Sequence, residues 1–288
     1  MKHVKFLMLL YVISIICCFV YNGKLQAQEK GEGKKKQDSK AGITEKAKKV
    51  KISPEVKEAS DLLKSEDDEK KLEGIKKLAE LADPAGVEPL IQLLKEGQKD
   101  KVTEAAIDAL GAISSPTSIP ILIEYMKHRR PAVRILAVNA IAEIKDKQVI
   151  DALKNALKDS DAGVRKSAAL ALGRYGDQSA VGILFKAFER NVTEAVIAIG
   201  QIGNVDDMER LSGYLGKSPL SLLLPGFSEF LARDNFPENG KIKIIEKLKE
   251  LAGPEVKQFL IKFVAGLPPD YKGPLKTKAE EAINSIAD

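Results

Sequence analysis

The sequence predicts an all-α fold, an α-α superhelix in which helix pairs stack into a solenoid, and three observations carry that expectation. The composition is 44% hydrophobic yet only 5% aromatic, with no Trp, and the abundance of Ala and Leu favours helices over a β-sandwich. The stretch DAGVRKSAALALGRYGD (161–177) closely repeats RPAVRILAVNAIAEIKD (130–146), 31 residues earlier. Self-similarity at that distance is the signature of a repeat architecture. The third observation is phase. Small-residue triplets centred on Leu78, Leu110, Ile141, Leu172 and Ile199 step by 32, 31, 31 and 27 residues. A second row, Leu90, Leu122, Leu153, Leu184 and Leu211, keeps the same steps, as does a third, Leu94, Met126, Leu157, Phe188 and Leu215.

The N-terminal residues 1–27 have the form of a signal peptide: Lys2 and Lys5, an apolar run from Phe6 to Val20, and Ala27 at the cleavage position. The run is short for a membrane span, which needs ~20 apolar residues; an uncleaved anchor is the alternative. Residues 28–52 hold nine Lys against four acids and few apolar side chains. Such a composition cannot bury enough surface to order itself, so it reads as a flexible Lys-rich linker. SPEVKEASDLLKS (53–65) reads as an N-terminal capping helix, with Ser53 at the N-cap and Pro54 at the first helical position.

From residue 67 to 217 each unit holds two helices. In 161–177 the apolar stripe is Val164, Ala168, Ala171, Leu172 and Tyr175, on one helical face. In the following helix it is Val181, Leu184, Phe185 and Phe188. Asp83, Ser115, Asp146, Asp177 and Asn204 recur between the two helices, where they suit an N-cap. One such pair cannot bury its apolar faces, but stacked neighbours can. The array therefore spans 53–217, and 218–288 reads as irregular closing helices over 241–253, 254–267 and 275–288, with a separate small helical domain as the alternative.

The string D-x-x-V-R-x-x-A-x-x-A-L-G-x-x-G-D, met by Asp161, Val164, Arg165, Ala168, Ala171, Leu172, Gly173, Gly176 and Asp177, resembles the short HEAT-like repeat of the phycobilisome-lyase type. The 130–146 unit shares Val133, Arg134, Ala137 and Asp146 but has Arg130 where the first Asp stands. The resemblance covers 67–217 and implies a HEAT/armadillo-like α-solenoid. It implies inter-repeat structural roles for Arg134, Asp161 and Arg165. It also implies that second helices line the concave face.

The sequence offers little chemistry. Cys17, Cys18 and His3 lie in the signal segment, and His128 is the other histidine. No nucleophile–base pair, phosphate loop or metal-ligand spacing appears, so no catalytic, cofactor-binding or metal residue is assigned. Charge points the same way. Residues 1–27 carry +3, residues 28–52 carry +5, and residues 53–288 carry −3. That argues against nucleic-acid binding by the folded body.

What remains is a polar ladder on the second helices: Gln92, Glu124, Asn155 and Lys186 in one row, Lys95, Lys127, Lys158 and Glu189 in another. It suits a protein partner of mixed charge, although a solvated face has the same sequence. The expected function is an exported, non-catalytic protein–protein interaction scaffold, periplasmic or envelope-associated, monomeric, meeting a membrane only through an uncleaved N-terminus. The resemblance keeps one alternative open, an accessory lyase or maturation factor acting on a cofactor-bearing protein. Binding of an anionic polymer through the basic linker is another.

Overall fold

The structure, a computed structural model, describes residues 52–287. The predicted signal segment and most of the Lys-rich linker lie outside the described residues. The described residues pack within one compact unit, and they contain helices and turns but no strand.

A capping helix α1 (Pro54–Leu62) opens the unit. The Ser53 hydroxyl accepts from the Val56 amide at 3.2 Å, and Pro54 occupies the first turn, where its missing N–H costs nothing. Five helix pairs follow: α2 (Asp68–Leu81) with α3 (Val87–Lys95), α4 (Asp100–Ile113) with α5 (Ile119–Tyr125), α6 (Pro131–Ala142) with α7 (Lys147–Ala156), α8 (Ala162–Tyr175) with α9 (Val181–Phe188), and α10 (Ala195–Ile202) with α11 (Val205–Ser212). Four further helices close the stack: α12 (Leu220–Ala232), α13 (Glu238–Leu251), α14 (Pro254–Ala265) and α15 (Pro274–Ser285).

The repeat phase read from sequence is the phase of the core. Leu78, Leu110, Ile141, Leu172 and Ile199 are buried, as are Leu90, Leu122, Leu153, Leu184 and Leu211. In the third row, Met126 and Leu215 are only partly buried. The shortened step falls on α10, which has 8 residues where α8 has 14. The recurrent turn residues act as caps. Asp83, Asp146 and Asp177 each accept from the amide two residues on, at 2.7–2.9 Å. Asn204 and Asp207 form a reciprocal capping box. Ser115 departs from this rule, because its hydroxyl bonds Thr117 instead.

The two layers of the stack are unequal. The first helices, α2, α4, α6, α8, α10 and α12, pack directly against one another in series, whereas successive second helices touch little. Small residues cause the difference. A Cβ on Gly111 would stand 2.8 Å from the Ala140 Cα, and one on Gly200 would stand 2.3 Å from the Gly226 carbonyl oxygen. Backbones can approach that closely only where the side chain is absent. The second helices form the layer whose members touch less, with clefts between them.

The spacing reverses at the C-terminal end. There α13 and α15 pack closely, while α12 and α14 stand apart. The predicted helices over 241–253 and 275–288 both occur, each beginning slightly earlier, at Glu238 and Pro274.

Candidate functional site

The eight ladder residues, Gln92, Lys95, Glu124, Lys127, Asn155, Lys158, Lys186 and Glu189, are all exposed on the second-helix layer. Amphipathic burial of the Leu rows dictates this, because a helix that buries one stripe presents the opposite one. Lys95 ends α3, while Lys127 and Lys158 follow the last turns of α5 and α7. These are the ends where the helix dipole favours a cation.

The structure gathers only part of the ladder into one place. A cleft of about 560 Å³ lies between α5 and α7, with Lys127, Asn155 and Lys158 on its rim. Ile123, Met126 and Ala152 supply apolar floor, and Gln148 and Asp151 add polar groups. A smaller cleft of about 280 Å³ joins Lys158 to Lys186 and Arg190. Glu124 and Lys127 border a third, beside His128. Gln92 donates to Glu96, the residue that caps its own helix, at 3.3 Å. Glu189 is engaged: it accepts from the Tyr214 hydroxyl at 2.7 Å and faces Arg210 at 3.6 Å. Lys95 borders none of these clefts.

The base of the main cleft is held by an ion pair. Arg134 Nε and Nη2 donate to both Asp159 carboxylate oxygens, at 2.9 and 2.7 Å. Arg134 Nη1 also donates to the carbonyls of His128 and Arg129, at 2.8 and 3.3 Å. One guanidinium thus fastens the turn before α6 to the turn before α8. Both side chains are almost buried, at 11% and 14% exposure. Burial alone would raise the Asp159 carboxyl. The Arg134 bonds and the Asp161 amide outweigh it and hold the group below its ordinary value.

The three residues expected to act between repeats therefore divide. Arg134 does so. Arg165 donates to the carbonyls of Asp159 and Ser160, at 2.9 and 2.8 Å, and so braces the turn before its own helix. The Asp161 carboxylate caps α8 by accepting from the Val164 amide and acts on Arg134 through its charge alone, whereas Asp159 bonds that arginine directly. Two tyrosines pin neighbouring pairs together. Tyr125 donates to the Leu94 carbonyl at 3.1 Å and Tyr175 to the Asp146 carbonyl at 2.8 Å. Both residues end a helix, and that shared position is the signal that would have found them. Among the described residues, no group of three or more His, Cys, Asp or Glu side chains is placed to hold a metal ion. No described helix is long and apolar enough to cross a membrane.

Comparison with known proteins agrees with this architecture. The family of HEAT repeats matches residues 56–130 and 119–193. A deoxyhypusine hydroxylase of Eremothecium gossypii is 42% identical over 67 residues, which is 23% of this chain and 21% of that protein. A homology model of the full-length AP-3 complex in an intermediate open conformation superposes with a TM-score of 0.53 at 13% identity, covering 81% of this chain and 51% of that one. The complex of CpcE and CpcF of phycocyanin lyase from Nostoc sp. PCC7120 aligns over 86% of this chain and 100% of that one, with 17% identity and a TM-score of 0.45. The chain spans about a fifth of the hydroxylase and half of the AP-3 chain. With its stacked helix pairs, its buried Leu rows and the matched repeats, the chain is a HEAT-like repeat protein.

Proposed function

We propose that this chain is an exported, non-catalytic scaffold that holds a segment of another protein against its second-helix layer. The observation that carries the proposal is the cleft between α5 and α7. It sets three ladder residues around an apolar floor, and Arg134 and Asp159 fix its base. A partner side chain of apolar character fits that floor, and acidic groups beside it meet Lys127 and Lys158. Interfaces of this kind combine a desolvated centre with a polar rim. Export rests on the signal-like residues 1–27.

The test is affinity capture from the native cell with the full chain and with a Lys127→Glu/Lys158→Glu variant. A protein retained by the first and lost by the second supports the reading. Equal retention by both removes the cleft from it.

A second reading is a modifying role on the bound partner, favoured by the 67-residue likeness to a hydroxylase. Intact mass of the captured partner from cells with and without this chain decides between the two. A mass difference favours modification, and identical masses favour the scaffold.

A further inference from the structure

We propose that the C-terminal end of the stack binds an amphiphilic organic monoanion, an apolar body with a single carboxylate head, in the cleft between α12 and α14. This site is separate from the second-helix layer and independent of the function proposed for it.

The cleft exists because the packing rule of the array lapses there. Through α12 the first helices close on one another by way of Gly111, Gly173 and Gly200. Within α14 the residues that line the space toward α12 are Phe259, Lys262 and Phe263, bulky side chains that keep the backbones apart. The helices stand apart and leave about 600 Å³. That is the scale of small-molecule sites, which are lined by apolar and aromatic groups with a few convergent polar ones. Leu231 and Leu267 extend the apolar lining. Tyr271, also in the lining, donates to Glu238 Oε1 at 2.9 Å and so ties the turn after α14 to the start of α13. The cleft is thereby bordered by a turn rather than continuing as a groove for an extended chain.

Charge selects the sign of the ligand. The charged groups lining the cleft are Lys241, Lys262 and Asp234, a net of one positive charge. Lys241 is half-buried, and among the described residues no ion pair or hydrogen bond engages its ammonium. Burial pulls its ammonium below the ordinary lysine value. Asp234 and Glu238 oppose that pull, and Arg233 adds to it. Arg233 in turn spends its own donors on the neutral carbonyls of Gly200 and Gly203, at 3.0 and 2.7 Å, so its charge is not matched by a carboxylate there. A carboxylate head beside Lys241 would accept from its unbonded ammonium, and an aliphatic or ring body would cover the phenyl faces.

The test is isothermal titration of the full chain with dodecanoate below its micellar concentration, with dodecyltrimethylammonium as the cationic counterpart. The proposal expects saturable one-to-one binding of the anion and at least tenfold weaker binding of the cation. Lys241→Gln should weaken dodecanoate by roughly tenfold, the loss of one charge-assisted contact worth about 1.4 kcal/mol. Ser228 is exposed on the cleft wall, so Ser228→Trp should fill the space and abolish binding without disturbing the core. Circular dichroism confirms that each variant is folded. Three results would each overturn the proposal: no saturable binding of dodecanoate, equal binding of the cation, or full affinity retained by both variants.

Discussion

Replacing Arg134 with leucine removes the guanidinium that fastens two turns and leaves the Asp159 carboxylate, at 14% exposure, without its ion-pair partner and with only the charge of Arg165 acting on it. Breaking one side of a buried ion pair costs about 3–5 kcal/mol, because an uncompensated charge stays behind. Asp159 keeps its bond from the Asp161 amide at 2.8 Å, and the freed carbonyls of His128 and Arg129 lie in turns that water can reach. We therefore expect a loss near the lower end, about 3 kcal/mol. That is a large share of the roughly 5–15 kcal/mol that holds a typical domain. The assay is urea unfolding of Arg134→Leu, Asp159→Asn and the double variant, followed by circular dichroism. Because a solenoid unfolds as coupled repeats, hydrogen exchange at the start of α8 should accompany it. The double-mutant cycle should return a coupling of about 2 kcal/mol. The pH dependence follows from the lowered Asp159 carboxyl. The folded value lies below the unfolded one, so the contribution is complete above the unfolded value of ~3.9. It is lost as pH falls through the folded value, and Arg134→Leu should flatten the stability curve in that acid window. A coupling under about 0.5 kcal/mol, the level reached by independent sites, would refute the claim that this pair joins the repeats.

Three other predictions bear on the packing. Gly111→Ala gains ~1 kcal/mol of helix propensity but forces a Cβ to 2.8 Å from the Ala140 Cα, so urea unfolding should show a net loss of about 1–3 kcal/mol. Ala82 caps α2 with φ of 48°, a left-handed conformation that glycine adopts without strain; Ala82→Gly should raise the unfolding midpoint, worth about 1 kcal/mol. Tyr125→Phe removes the bond to the Leu94 carbonyl and should cost about 1 kcal/mol, with faster amide exchange where α3 ends.

The sequence made the repeat legible because one physical requirement recurs at one spacing. Every pair needs a large residue at the Leu90 position and a small one near Gly111, and both requirements leave their mark on the chain itself. The ladder was legible for the same reason, as the complement of a buried stripe. The partnership of Arg134 with Asp159 was not, because it depends on where two turns meet after the helices have stacked. Asp161 is better placed in sequence to attract notice, yet the folded turn gives it the N-cap and gives Asp159 the arginine. The C-terminal cleft lies where the period lapses after residue 217, so no repeat pattern could announce it.

The central claim, that a protein partner occupies the second-helix layer, is tested most directly by site-specific photo-cross-linking in the native cell. A photoreactive amino acid replaces Asn155 on α7 in one form of the full chain and Asn139, exposed on α6 in the first-helix layer, in another. The account predicts a discrete adduct from position 155, lost on Lys127→Glu/Lys158→Glu, and none from position 139. An adduct from position 139 alone would place the partner on the first-helix side and contradict it.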